Sequence, residues 1–317
     1  NLIIGYTTVV DDRGSLGQDF PRVTINDGTN RIVFGTEPFS TINQLKSKIL
    51  TLTDNYTIYK QRHVFTFGTH NEYATFYNAF IGNAFGTYTF ADLSSFLNGD
   101  ISTDYERSYS LVDDVAGDGT KAAADFKTLQ LGFYAQDEIT VNQKLKLTAG
   151  LRIDIPMFLN KPEEDTYFNN TVIPKIEAAG YDLEGARVGR VPKPQLMFSP
   201  RIGFNYDLSG EQTTQIRGGV GIFTSRIPYV WPGASFNNNG ILVGAIPGNA
   251  NPKVPFRPDP NNQYIGQDVG AVVATPSGDI NIFARNFKFP QVLRTSLAVD
   301  QLLPGGFVGT LEGIFSK

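Results

Sequence analysis

Residues 145–155 read Leu145-Lys146-Leu147-Thr148-Ala149-Gly150-Leu151-Arg152-Ile153-Asp154-Ile155. Apolar residues hold every odd position, and polar residues or glycine hold every even one. This is a strand with one oily and one wet face. At about 3.3 Å per residue and a tilt of about 45°, such a run climbs roughly 25 Å, the height of the apolar band on a bacterial outer-membrane barrel. A soluble sandwich shows the same alternation with its oily face turned inward, so connection lengths must decide between the two.

Working outward, a second alternating run precedes this one from position 129, across a short polar turn. Runs 45–59 and 63–77 flank Lys60-Gln61-Arg62, runs 197–208 and 213–224 flank Ser209-Gly210-Glu211-Gln212, and runs 292–302 and 307–315 flank Leu303-Pro304-Gly305-Gly306. Each pair reads as a hairpin. Between the hairpins lie long connections at about 78–125, 157–196 and 225–290. Loops beyond about 15 residues are uncommon in compact soluble domains. Outer-membrane barrels combine short periplasmic turns with long extracellular loops, and so account for the alternation of short and long.

Composition is compatible with that fold class. The chain has 317 residues, 41% of them hydrophobic, with Gly 32, Phe 24 and Tyr 14, and a mean hydropathy of -0.18. No segment approaches the roughly 18 uninterrupted apolar residues of a membrane helix. Strands escape that test because half their residues face the lumen. A net charge of -4 gives no basic footprint for nucleic acid. The absence of cysteine removes disulfides, thiolate metal sites and cysteine nucleophiles together. The chain opens at Asn1 without initiator Met and stops at Lys317 inside an alternating run, so a processed or partial piece of something longer is expected.

The connections have texture. Segment 225–290 is rich in Pro, Asn and Gly and is expected to be mostly irregular. Segment 90–97 reads as a short amphipathic helix with Thr89 as N-cap, and 173–179 as a second helix.

Candidate chemistry is sparse. His63 and His70 sit seven apart in one strand, sharing neither parity nor helical ligand spacing, and read as ordinary polar strand positions. No Gly-x-Ser-x-Gly or His-Glu-x-x-His motif occurs. Gly218-Gly219-Val220-Gly221 lies inside an alternating strand, where glycine relieves crowding, and not ahead of a phosphate-binding helix. Asp11, Asp12 and Asp19, and likewise Asp113, Asp114 and Asp118, carry calcium-type oxygen ligands but not the twelve-position loop, so solvated loop charge is the favoured reading. Glu163 and Glu164 have no carboxylate opposed across a cleft. The chain therefore reads as a non-enzyme with no metal and no cofactor.

The strand charges are more telling. Arg152, Asp154, Arg201, Asp207, Arg217, Arg294 and Asp300 all fall on the polar parity. An arginine facing lipid at mid-bilayer would cost roughly 2–4 kcal/mol, so in a membrane barrel these residues line the lumen. They are the candidate lumen-facing residues, as wall solvation or as substrate contacts. Aromatics gather near strand ends at Phe133, Tyr134, Phe158, Phe198, Phe223, Tyr229 and Trp231, as in interfacial belts. A carbohydrate-stacking surface is the competing functional reading, and packing in a loop core is the plain one.

Several of these residues resemble a known family. The run 131–138, Leu-Gly-Phe-Tyr-Ala-Gln-Asp-Glu, followed by 145–154, is similar to the barrel hairpin of TonB-dependent outer-membrane receptors, in which a Tyr-x-Gln-Asp strand leads to a Gly-x-Arg-x-Asp strand. Segments 198–204 and 217–223 resemble the next hairpin. Segments 86–90 and 96–99 resemble the Oar-like branch of Bacteroidota, with its carboxypeptidase-regulatory-like N-terminal domain. The resemblance runs from about residue 45 to the C-terminus.

It implies a 22-stranded antiparallel transmembrane β-barrel closed by an N-terminal plug and energised through a TonB box by TonB, ExbB and ExbD. Residues 1–317 hold neither plug nor TonB box and about ten strands, so the expectation is a barrel segment whose coupling to TonB–ExbB–ExbD runs through a plug domain outside it. Lipid of the bacterial cell outer membrane is the implied surrounding, and a surface lipoprotein or another envelope complex is a further candidate partner. The implied function is energy-coupled uptake of a nutrient or peptide-like ligand, met first by Tyr229, Trp231 and Phe236 in the loops. The alternatives are a small complete barrel acting as adhesin or structural porin, and a secreted all-β carbohydrate-binding module.

Overall fold

The computed structural model describes residues 1–113, 118–247, 252–269 and 279–317. In chain order these form β1 (Leu2–Arg13), β2 (Arg22–Asp27), β3 (Asn30–Phe34), β4 (Ile42–Lys60), β5 (His63–Ile81), β6 (Thr87–Phe90), α1 (Leu93–Leu97), β7 (Asp104–Ser110), β8 (Ala124–Thr140), β9 (Leu145–Phe158), α2 (Ile173–Ala178), β10 (Met197–Asp207), β11 (Thr214–Thr224), α3 (Val230–Asn237), β12 (Val243–Ile246), β13 (Gln291–Leu302) and β14 (Val308–Ser316).

Nine strands build one antiparallel wall in the order β1-β4-β5-β8-β9-β10-β11-β13-β14. Because neighbours in the wall follow one another along the chain, their connections alternate between its two ends. Tight turns join β4 to β5, β8 to β9, β10 to β11 and β13 to β14 at one end. Connections 14–41, 82–123, 159–196 and 225–290 occupy the other. The turn before β14 needs Gly305 and Gly306, whose φ values of 82° and 83° a side chain would resist. The wall is open: among the described residues β1 and β14 each have one neighbour and do not pair with each other.

Strand length divides the wall. β10 and β11 have 11 residues each, matching a rise of roughly 25 Å across an apolar band. β4 and β5 have 19 residues each and reach well past it.

The two faces differ as the alternation requires. On the odd positions of β9 and the matching positions of its neighbours, apolar side chains stand bare: Leu151 is 43% and Ile202 64% exposed, with Phe67, Phe133, Phe204 and Leu297 beside them. On the opposite face Glu72 and Asp154 are each 2% exposed, and Ser199, Thr128 and Ala298 are also buried. The long connections cover this second face. Phe236 of α3 joins Ala74, Phe76, Ala124 and Phe126 in one core, with Phe158 and Tyr229 against it. Charged residues and folded-back loops thus share the inner side, and the outer side is oily and uncovered.

The connections are more ordered than the sequence suggests. β2 and β3 from 14–41, β6 and β7 from 82–123, and β12 from 225–290 assemble a second sheet, β12-β7-β6-β2-β3. Its core is aromatic, with Tyr88, Phe90, Tyr105, Tyr109 and Tyr264 around Val23 and Ile25. The helix expected over 90–97 spans only Leu93–Leu97, and its cap is Asp92, whose carboxylate accepts from the Ser95 amide. Thr89 belongs to β6, the central strand of this sheet, where pairing with β2 and β7 outcompetes capping. α2 forms where a helix was expected. α3 replaces part of a segment expected to be irregular.

Candidate functional site

The wet face of β8, β9 and β10 carries a continuous polar patch. Arg152 and Asp154 lie two apart on β9, hence on one face. Arg152 Nε donates to Asp154 Oδ2 at 2.9 Å and Nη2 to Oδ1 at 2.7 Å, a two-pronged ion pair. Gly132 on β8 stands opposite Asp154. A Cβ there would strike the Arg152 guanidinium, so glycine makes the room in which the pair forms. Gln130 Nε2 also donates to Asp154 Oδ1, at 3.3 Å. Arg152 lies over the Tyr134 ring, 5.6 Å from its centroid, and the Tyr134 hydroxyl donates to Asn55 Oδ1. His70 Nδ1 and Thr53 Oγ1 are 2.7 Å apart on the neighbouring strands.

Arg201 completes the patch. It pairs across strands with Gly150 on one side and Gly221 on the other, and Gly221 in turn pairs with Arg294. Its guanidinium rests over the Phe223 ring, 4.5 Å from the centroid. The Arg201 side chain makes no ion pair or hydrogen bond among the described residues. With Thr53, His70, Tyr134, Gln136, Gly150 and Arg152 it borders a recess of about 400 Å³.

The other expected lumen residues are placed elsewhere. Arg217 of β11 bonds Asp300 Oδ2 at 2.9 Å and reaches Glu312 at 3.6 Å, tying β11, β13 and β14 together. Thr310 Oγ1 donates to Asp300 Oδ1 at 2.7 Å. Asp207 departs from the lumenal role expected for it. It organises the β10–β11 turn by accepting from Ser209 Oγ and from the Gly210 and Gln212 amides, which commits most of its acceptor sites to the turn. Arg294 is exposed and forms no ion pair among the described residues.

The loop candidates also separate. Trp231 is 59% exposed, whereas Phe236 is 5% exposed and stacks on Phe126 at 5.1 Å. Tyr229 packs 4.1 Å from Phe76, and burial pushes its hydroxyl pKa up. Expected as first contacts for a ligand, Phe236 and Tyr229 are instead the hydrophobic feet that hold α3 on the wall. The aromatic belt is likewise thinner than the sequence suggests. Phe133 and Phe198 face outward, while Tyr134, Phe158 and Phe223 serve the inner side.

Three residues that hold the connections in place escaped the sequence reading. Glu72 of β5, buried on the inner face, forms an ion pair with Arg226 at the start of connection 225–290. Parity alone points Glu72 inward, but nothing local marks Arg226 as its partner. In the second sheet Arg107 is buried and donates to the carbonyls of Ala84, Gln263 and Tyr264 at 2.9, 3.0 and 3.1 Å. Desolvation lowers its pKa, and burial raises those of Tyr88 and Tyr105 beside it.

The acidic clusters are internally occupied. Asp11 pairs with Arg13, Asp12 accepts from Gln44, and Asp19 from Ser15. Asp113 accepts from the Lys121 amide and Asp118 from that of Thr120, which lowers the Asp118 pKa. Asp114 lies outside the described residues. His63 Nδ1 lies 2.8 Å from Asp137. Glu164 accepts from Asn169. No grouping of three or more His, Cys, Asp or Glu side chains suited to a metal occurs among the described residues. No helix among them is long and apolar enough to cross a membrane.

An oily outer face over a charged inner face is the cross-section of a membrane barrel wall, and residues 3–314 match the family described as outer membrane beta barrel domain. The chain belongs to that family. Its location is the bacterial outer membrane. A solved structure of the outer membrane transporter YddB from Escherichia coli is similar in fold, with a TM-score of 0.51 and 11% identity. The alignment covers 99% of this chain and 31% of that one, so this outer-membrane barrel chain spans about a third of the transporter's length. No curated protein matches it in sequence.

Proposed function

We propose that this barrel wall belongs to a TonB-dependent receptor of the Oar-like type that imports a nutrient or peptide-like ligand across the outer membrane. One observation carries the reading. The polar parity of the wall faces a space that long connections enter and partly fill, as fits a gated import path. On this reading the connection-bearing end is extracellular and the tight turns are periplasmic. The remaining wall of a 22-stranded barrel and a plug lie outside these residues, and TonB, ExbB and ExbD supply energy through that plug. A surface lipoprotein or another envelope complex is a compatible neighbour at the connection-bearing end. The work is transport without bond chemistry, so neither catalytic residues nor a cofactor are assigned.

The likeness to an outer-membrane transporter supports the fold of this reading. A small complete barrel, adhesin or porin, is less well supported because β1 and β14 do not pair. The test is growth and labelled-nutrient uptake by cells with the full-length gene deleted and restored, with and without TonB and with a protonophore. Uptake should need the gene, TonB and the proton gradient together. Gene-dependent uptake that survives both loss of TonB and the protonophore sinks the proposal.

A further inference from the structure

We infer that the recess between β8, β9 and β10 is a binding site for an oxyanion, a carboxylate or phosphate group, with Arg201 as its principal donor and Arg152 beside it. The inference rests on the lumen reading above, since the recess opens on the inner face.

Charge and geometry carry the argument. Arg152 and Arg201 border the same recess, and the one carboxylate beside them, Asp154, lies beyond Arg152 along the strand and is already engaged by its Nε and Nη2. Arg152 Nη1 carries no hydrogen bond among the described residues. The Arg201 side chain makes no ion pair and no hydrogen bond among them either, although it rests over the Phe223 ring. Stacking leaves the edge of a guanidinium free to donate, and that edge matches the two oxygens of a carboxylate or phosphate. Arg201 is exposed on the recess and Arg152 half-buried beside it, so a dissolved anion can reach both, and it would relieve the repulsion between two neighbouring cations.

The floor is clear for one. Gly150 is the cross-strand partner of Arg201, and a side chain there would press on the Ala135 carbonyl at 3.2 Å and on Gln136. Gln136, Thr53 and His70 border the recess and offer further polar edges. Lys146, nearer the tight turns, differs because it already has Glu138 at 3.4 Å. The anion can be carried by a soluble ligand or by an acidic side chain of the protein's own lumen-filling segment, and the chemistry at the site is the same.

The test is arginine-selective labelling with phenylglyoxal on the full-length protein in detergent and in lipid vesicles, read peptide by peptide by mass spectrometry, with and without inorganic phosphate. A soluble source predicts that phosphate slows labelling of Arg201 at least tenfold, and that Arg152→Gln weakens this protection while Lys146→Gln leaves it intact. An internal carboxylate predicts an Arg201 that is protected without phosphate and becomes reactive in 1 M sodium chloride. Equal labelling with and without phosphate at both salt levels overturns the site, as does an Arg201 unreactive under every condition in detergent. Arg201 shielded by vesicles but reactive in detergent, independently of phosphate and salt, overturns the lumen reading itself.

Discussion

Arg152 and Asp154 close a two-pronged ion pair on one face of β9 in space vacated by Gly132 of the adjacent strand. The pair is local in sequence, but the room it needs comes from another strand. Removing the carboxylate leaves a guanidinium in a confined site. Asp154→Asn should therefore destabilise the folded barrel by roughly 2 kcal/mol, the usual scale for losing hydrogen bonds to a charged group. Adding Arg152→Gln should recover part of that loss. Urea unfolding in lipid vesicles, run as a double-mutant cycle, measures both, and strict additivity would refute the coupling.

The oily face makes a sharper claim. Leu151 and Ile202 point outward with nothing covering them, so Leu151→Arg should cost roughly 2–4 kcal/mol in a bilayer. Ser296→Arg, on the inner parity of β13, should cost far less. Equal penalties in vesicle folding would mean that the two faces are wrongly assigned.

Phe236 anchors α3 to the wall through Phe126. Phe236→Ala leaves a cavity worth roughly 3–5 kcal/mol in a packed core. The loss should fall on α3 more than on the strands, because strand pairing does not depend on this ring. Hydrogen exchange should rise across 230–237 and stay unchanged in β8 and β9.

Arg107 holds three carbonyls of two different connections. Arg107→Met keeps most of the volume and leaves those acceptors unsatisfied, at roughly 1–3 kcal/mol for a buried group. The second sheet should open to protease within 82–123 and 252–269 while the wall stays intact. Proteolysis unchanged from wild type would show that the aromatic core alone holds the sheet.

Acid should loosen α1 first at its N-terminus. The Ser95 amide, its main cause, holds the Asp92 carboxyl below its ordinary pKa. A depressed folded pKa gives stabilisation that is full above the unfolded value and lost as pH falls through the folded one. Protection of the Ser95 amide against hydrogen exchange, corrected for intrinsic rates, should fall below the ordinary aspartate range in wild type and be low at every pH in Asp92→Ala. A flat profile in wild type would mean that the cap contributes nothing.

The sequence by itself determined the wall hairpins and their parity, because the period of two is a local property of an extended backbone. From 145–155 one can read that Arg152 and Asp154 share a face, and the same rule places Arg201, Arg217 and Asp300. Local sequence also suggested α2, but it misjudged α1 by three residues, since Thr89 pairs in β6 and only then does Asp92 cap the helix.

Tertiary structure decided what each parity meets. The inner face is defined by α3 and Phe236 landing on it, and by Glu72 finding Arg226 at a sequence separation of 154. Tyr88 and Gln263 meet at a separation of 175, and β2 lies parallel to β6. Such pairings leave no periodic trace in the chain. They depend on connections returning to the same end of the wall, where burying aromatic rings offsets the entropy of ordering long loops.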